Sequence, residues 1–352
     1  MKKNINTTDI FNKNKEEFIN TNKEYAIGVD LGGTNIVSAI INNQGEILSY
    51  LKVRTLAERG REATIKRIIE TIHKNIVQFQ STIAPDGNGI SIIGIGIGAP
   101  GPLDIKRGII DFAPNLPGWR DVPLRKILKD EFSMKIVLEN DANAAAWGER
   151  CFGVGQGVDN LVCFTLGTGI GGGIIIDGKI YHGNNYGSAE LGHMTVNKDG
   201  PRCNCGNYGC LEAYSSATGI KNRIKSKIKS GTKSQFLNLD NDKSLESISL
   251  KSIFEAARKG DKLTENIVEE AISYLGIAIA NITNILNPKM VVLVGGMTNE
   301  GDKLLLPLRE EVKKRAFYSN YKPLKIVIGK LDGNAGVLGA AALLWIPEIY
   351  SL

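Results

Sequence analysis

The stretch "EYAIGVDLGGTNIVSAIINNQGEILSYLKV", residues 24–53, reads as three strands joined by two turns. "YAIGVD" is apolar and rich in β-branched residues, a Gly-Gly-Thr turn follows, and "NIVSAII" reaches a second turn at "NNQG" before "EILSYLKV". A second stretch, "NLVCFTLGTGIGGGIIIDGKIYHG" at 160–183, has the same layout: strand, Gly/Thr turn, strand, Asp-Gly turn, strand. One supersecondary unit used twice implies a duplicated, two-lobed fold that takes a ligand between its lobes.

The segments around these units alternate. Residues 61–83 carry Ile65, Ile68, Ile69, Ile72 and Ile76 at helical spacing, and "ISIIGIGIGAPG" at 90–101 is a buried strand ending in a Gly/Pro turn. "KIVLENDANAAAWGERCFG" at 135–153 runs from a strand into an alanine-rich helix. Helices are expected at 252–259, 264–286 and 302–317, strands at "MVVLVGG" and "LKIVIGKL", and a small-residue helix at "AGVLGAAALLW". Strands alternating with helices predict an α/β fold. The polar stretch 221–250 reads as exposed helix plus loop.

The totals exclude several classes. The chain has 352 residues, net charge +6 and 42% apolar residues, enough for two domains with real cores. Its Lys and Arg are spread along the chain rather than clustered with aromatics, so no nucleic-acid partner is expected. The polar N-terminal stretch, residues 1–23, has no signal-peptide core. No later run approaches the roughly 18 apolar residues of a membrane helix, so a cytoplasmic protein without a membrane partner is expected.

Two glycine runs, "GIGAPG" at 96–101 and "GTGIGG" at 167–172, fit the dinucleotide-binding fingerprint G-x-G-x-x-G. That fingerprint has to open a helix, so that a pyrophosphate meets the helix N-terminus. "GIIIDGKIY" follows one run and reads as a strand; "PLDIKRGII" follows the other and does not read as a helix start. The remaining Gly/Thr turns, "DLGGTN" and "LGTGIGGG", suit phosphate instead: glycine lets backbone N–H groups converge on anionic oxygens, and Thr adds a hydroxyl.

"LENDAN", residues 138–143, places Glu139, Asn140, Asp141 and Asn143 where a strand gives way to a helix. One such residue would serve as a helix cap; four within six positions suggest a polar site at the end of a sheet strand. A carboxylate there can take a hydroxyl proton during phosphoryl transfer.

Three of the five cysteines fall within eight residues, and with His193 they form H-x₉-C-x-C-x₄-C through Cys203, Cys205 and Cys210. Cys₃His is a standard set for structural Zn²⁺. The C-x-x-C spacing of redox dithiols is absent, and disulfides are rare in the cytosol. Cys151 and Cys163 read as ordinary buried thiols.

Taken together, "DLGGTN", "GAPGPLD", "NLPGW", "LENDANAAAWGE", "TLGTGIGGG", "ELGHMTV", "CNCGNYGCLE" and "LVGG" resemble the ROK group of sugar kinases and sugar-responsive repressors. They stand in family order over about 25–345, and "NLPGW" and "CNCGNYGCLEAYSSATGI" look most like the bacterial glucokinases of that group. The resemblance implies the two-lobed, duplicated actin-like ATPase (ribonuclease H-like) fold with its active site between the lobes. It divides the chain into a tail (1–23), a smaller α/β lobe (24–150 plus 333–352) and a larger α/β lobe with a zinc-bound loop (151–332).

The implied reaction is ATP-dependent phosphorylation of glucose at the 6-hydroxyl, with Mg²⁺ on the phosphates. Asp141 would be the base. Asn115, Asn140, Glu190, His193 and Glu212 would meet other sugar hydroxyls, with Asp141 beside them. Asp30, Gly32, Gly33 and Thr34 would form one phosphate turn, with Asp30 near the Mg²⁺. Thr168 and Gly169 would form the other, and Gly295 and Gly296 would lie against the adenosine. Structural Zn²⁺ would sit on His193, Cys203, Cys205 and Cys210. Trp119 in "NLPGW" reads as loop packing rather than a sugar stack. Within the kinases, N-acylmannosamine, fructose and broad hexose specificity remain alternatives to glucose, and a homodimer is expected by resemblance. A sugar-responsive repressor is the rival from another class. It would need a DNA-binding domain before the first glycine turn, where 29 residues precede Asp30.

Overall fold

The structure, a computed structural model, describes residues 24–83, 90–237 and 248–346. The expected tail at 1–23 and residues 238–247 of the polar stretch lie outside the described residues.

Two five-stranded sheets carry the fold, in orders β3-β2-β1-β4-β8 and β11-β10-β9-β12-β13. The first contains β1 (Glu24–Leu31), β2 (Asn35–Asn42), β3 (Ile47–Arg54), β4 (Ser91–Ala99) and β8 (Ile136–Asn140). The second contains β9 (Leu161–Leu166), β10 (Ile170–Ile176), β11 (Lys179–Ile180), β12 (Met290–Val294) and β13 (Lys325–Ile328). Each hairpin unit expected from sequence takes the same place in its sheet, and two parallel strands extend each sheet beyond it. A small antiparallel sheet, β5 (Leu103–Asp104), β6 (Ile109–Phe112) and β7 (Arg120–Val122), stands where "PLDIKRGII" had no helical pattern.

The helices are α1 (Arg61–Ile83), α2 (Leu124–Phe132), α3 (Asp141–Cys151), α4 (Leu211–Ser215), α5 (Ala217–Lys229), α6 (Leu250–Arg258), α7 (Lys262–Leu286), α8 (Asp302–Arg315), α9 (Tyr318–Tyr321) and α10 (Ala335–Ala342). Among the described residues no helix is long and apolar enough to cross a membrane.

Chain contacts separate two compact units: 1–160 with 173–188 and 330–352, and 161–172 with 189–329. In the first unit, Ile27, Val29, Ile95 and Ile97 of the central strands are fully buried, as are Ile68 and Ile72 of α1. Small residues let α10 approach very closely. A Cβ on Gly96 of β4 would overlap the carbonyl oxygen of Ala340, and one on Gly339 would overlap that of Ala144 in α3. Both obstacles are backbone, so neither can swing aside. Gly339→Ala is expected to cost about 3 kcal/mol, the upper end for overpacking. A denaturant midpoint equal to the wild type's would disprove this contact.

In the second unit, α7 is buried along much of its length and starts on Asp261, whose side chain accepts from the amide of Thr264 at 2.9 Å.

Candidate active site

In the first unit the ends of three neighbouring strands come into line. Asp30 of β1 pairs with Gly98 of β4, and Gly98 and Ala99 pair with Glu139 and Asn140 of β8. Parallel strands put their carboxyl ends, where ligands of α/β sheets bind, on one edge. Asp141 opens α3 immediately beyond that edge, only half-buried. Its Oδ1 accepts from the amide of Ala142 at 2.8 Å. The first turn of a helix is a favourable place for a carboxylate, because the unpaired N–H groups there carry partial positive charge.

Asn140 is the N-cap of α3, and its Oδ1 accepts from the amides of Ala142 at 2.9 Å and Asn143 at 3.2 Å. Capping and ligand binding are therefore compatible: Oδ1 serves the helix, and Nδ2 is the donor suited to a hydroxyl. Beside this junction, the Gly32–Thr34 turn is fastened by Thr55. The Thr55 amide donates to Thr34 O at 2.8 Å and its hydroxyl donates to Gly32 O at 2.6 Å. Exposed Asn115 lies against that turn, since a Cβ on Gly33 would come 3.1 Å from the Asn115 Cβ. Asp30, Gly32, Gly33, Thr34, Asn115, Asn140 and Asp141 thus gather at one end of the first sheet. Trp119 is 1% exposed and packs in its loop.

Asp30 lies close to Gly336, at the N-terminal end of α10. Burial pushes its carboxyl from an ordinary 3.8 up to about 6, against the pull of Lys52. An oxygen donor of this kind suits Mg²⁺. Folding therefore favours the protonated form. That contribution is present below pH 3.8 and is lost as pH rises through about 6. Above that range the carboxylate costs at most about 3 kcal/mol. Asp30→Asn should raise the unfolding midpoint of the ligand-free protein at pH 8 but hardly at pH 3. Equal gains at both pH values would show that burial of charge is not the cause.

In the second unit, the Gly167–Ile170 turn meets Glu212. The Ile170 amide donates to Glu212 Oε2 at 2.9 Å. The Ala217 amide donates to Gly167 O at 3.0 Å, and the Thr218 amide to Thr168 O at 3.3 Å. Gly295 follows β12 with φ +103, a left-handed value that glycine tolerates, and a Cβ there would lie 2.6 Å from Leu166 O. Thr168, Gly169, Glu212 and Gly295 are thus brought together, with Gly296 next in the chain.

The cysteine loop belongs to the same unit. The ligand atoms of His193, Cys203, Cys205 and Cys210 all lie within 4.8 Å of one another. Cys205 Sγ is 3.7 Å from Cys210 Sγ, and Cys203 Sγ is 3.8 Å from His193 Nδ1. Zn–S bonds of about 2.3 Å in a tetrahedron set sulfurs about 3.7 Å apart, so the quartet fits Zn²⁺. All three cysteines are free thiols. With Nδ1 turned to the sulfurs, His193 Nε2 lies 4.0 Å from Glu190 Oε2, and Glu212 Oε1 lies 3.8 Å from Cys203 Sγ. The loop is fastened from behind by Asn197, whose Nδ2 donates to Tyr214 Oη at 2.9 Å and to Tyr274 Oη of α7 at 3.0 Å.

Sequence reading missed two partners of the Asp141 junction. Glu139 carries no distinct role in the sequence pattern, and His182, one of three histidines in the chain, lies outside every motif that carries the family resemblance. His182 Nε2 lies 2.7 Å from Glu139 Oε2.

Comparisons with known proteins agree with one another. The model of the ROK family matches residues 26–346. A glucokinase of Thermotoga maritima is 40% identical over 318 residues, 90% of this chain and 96% of that protein. A xylose repressor of Caldicellulosiruptor bescii is 34% identical over 90% of this chain and 77% of that protein. A solved ROK family glucokinase from Streptomyces griseus, in complex with glucose and AMPPNP, superposes with TM-score 0.74 at 36% identity, covering 91% of this chain and 98% of that one.

Proposed function

The chain belongs to the ROK family, with its two-lobed actin-like ATPase fold, and we infer that it transfers the γ-phosphate of ATP to the 6-hydroxyl of glucose. The observation that carries this reading is Asp141, a carboxylate opening a helix beside the aligned ends of β1, β4 and β8. Supporting it, a glucokinase is 40% identical over 96% of its own length.

In the proposed reaction Asp141 takes the proton of the 6-hydroxyl as that oxygen bonds to the γ-phosphorus. The bond from phosphorus to the β-bridging oxygen breaks, leaving ADP and glucose 6-phosphate. Protein groups mainly position and neutralise in such a transfer. Asn115, Asn140 Nδ2, Glu190, His193 and Glu212 are proposed to pair sugar hydroxyls. A site of fixed polar partners rejects a sugar lacking the matching hydroxyl, because a buried partner is then left unpaired. The Gly32–Thr34 turn, whose Gly32 amide donates to Asn35 O at 2.9 Å, is proposed to meet phosphate oxygens through the Gly33 and Thr34 amides, the Thr168–Gly169 turn through its own, and Gly295 and Gly296 are proposed to meet the adenosine. Mg²⁺, when bound, neutralises phosphate charge; Asp30 is the residue proposed to hold it. Zn²⁺ held by His193, Cys203, Cys205 and Cys210 would fix the loop that carries Glu190 and Glu212. A homodimer in the cytoplasm completes the proposal.

A coupled ADP-release assay over glucose, mannose, fructose, N-acetylglucosamine and N-acetylmannosamine tests the substrate. Glucose is expected to give the highest kcat/KM, and a better rival would reassign the specificity. A gel shift with promoter DNA tests the other reading, favoured by the repressor relatives: sugar-dependent, sequence-specific binding would overturn the kinase assignment.

A further inference from the structure

We propose that His182 is a positioning residue for phosphoryl transfer, acting through Glu139 to hold the strand–helix junction that presents Asp141. The inference rests on the reading of Asp141 as the base.

Glu139 is fully buried at the next-to-last position of β8. A buried carboxylate is tolerated only when its oxygens are met by donors. Oε1 accepts from the amide of Asn140 at 2.9 Å and from Asn143 Nδ2 at 3.0 Å. Those donors lie one and four residues ahead, the last strand residue and the first turn of α3. One oxygen therefore spans the junction and sets the direction in which Asp141 leaves the sheet.

Oε2 is met from far away in sequence. His182 follows β11, 43 residues on, and its Nε2 lies 2.7 Å from Oε2 with the side chain 10% exposed. With Nε2 protonated the imidazole donates. Tyr186 stands edge-on to the ring at 5.9 Å, and Lys106 Nζ lies 6.0 Å from the centre of the Tyr186 ring. The segment returns on itself, since Ser188 Oγ donates to Tyr181 O and the Ser188 amide to His182 O. His182 is thus held from its own loop, and it ties the junction to a part of the first unit that the two local bonds do not reach.

Removing the imidazole leaves a buried carboxylate oxygen without this donor. The carboxylate is then no longer held from this side and can re-aim, which weakens the Oε1 bonds that span the junction. A shift of about 1 Å in a reacting group can cost about 10²-fold in rate.

The test compares His182→Leu, His182→Gln and, as a purely structural control, Ile72→Ala in the buried face of α1. Each is assayed well below its unfolding midpoint, with rates referred to folded protein. Amide exchange at 140–143 is measured in parallel and referred to the amides of β1. His182→Leu is expected to lower kcat about 10- to 100-fold with KM for ATP unchanged, and to speed exchange at 140–143. Glutamine places its Nε2 donor near the same point and should restore kcat to within a few-fold and exchange to the wild-type rate. Ile72→Ala should lose stability and keep kcat. Wild-type kcat in His182→Leu, or a glutamine variant as slow as leucine, would overturn the proposal. If the wild type phosphorylates none of the sugars, the kinase reading fails, and the exchange arm alone decides: unchanged exchange at 140–143 in His182→Leu sinks the positioning role.

Discussion

Asp141→Asn is expected to fold as the wild type does and to lose between about 10² and 10⁴ of its turnover, the span that general base catalysis contributes. Asparagine keeps the shape of the side chain and an oxygen for the Ala142 amide, which Asp141 Oδ1 accepts at 2.8 Å. The cap of α3 comes from Asn140, so the helix start is untouched. What the amide lacks is a place for the proton of the 6-hydroxyl. The loss should therefore fall on kcat, with KM for glucose within a few-fold of the wild type. Asn140→Ala should differ: it removes a cap worth about 1 kcal/mol together with the proposed hydroxyl contact, so stability and KM should both change. Thermal unfolding with the coupled ADP assay separates the two patterns. An Asp141→Asn enzyme retaining a tenth of wild-type kcat would remove Asp141 from the base role.

The sequence reading worked best where the information is local. The turn after β1 and the turn after β9 recur with the same neighbours, so the duplication could be read from glycine, threonine and the apolar runs around them. The clustering of His193, Cys203, Cys205 and Cys210 was legible for the same reason, because the four fall within 18 residues and their spacing is itself the signal. Where contacts join distant residues, legibility ended. The third strand of the second hairpin was expected to match the first, yet only Lys179–Ile180 forms it. Beyond it the chain turns away, with the Tyr181 amide still donating to Ile174 O and the Ser188 amide donating back to His182 O. Thr55, which fastens the Gly32–Thr34 turn, sits in an unremarkable stretch after β3. Glu139 and His182 meet only once the first unit is folded. Asn140 illustrates a further limit: capping and substrate binding looked like rival readings, whereas separate atoms of one amide can serve both.

Removing zinc from the His193–Cys210 quartet should weaken sugar binding as well as stability. The loop backbone has anchors of its own: the Leu211 amide donates to Met194 O, the Val196 amide to Gly209 O and the Gly209 amide to Pro201 O, each at 2.9 Å, and Asn197 reaches Tyr214 and Tyr274. These bonds fix the backbone around His193, Cys203 and Cys210, and a metal would add the links between their side chains. Without a metal, no bond holds the three thiols and the imidazole in the fixed directions that bring their ligand atoms within 4.8 Å. Glu190 and Glu212 flank the quartet, so their carboxylates would lose their fixed direction, and His193 Nε2 with them. Two hydrogen bonds to charged groups, at about 1.5–3 kcal/mol each, correspond to a rise in glucose KM of at least about 100-fold. Glu212 also accepts the Ile170 amide beside the Thr168–Gly169 turn, so KM for ATP should rise with it, though less. Cys210→Ser is the matched variant: it removes one ligand and changes little else in volume. Both the chelated protein and the variant should show lower metal content, a lower unfolding midpoint and the two raised KM values, and added Zn²⁺ should restore the chelated protein alone. Active protein found to hold no zinc, or a chelated enzyme with unchanged glucose KM, would reduce the quartet to a cluster of reduced cysteines with no part in the sugar site.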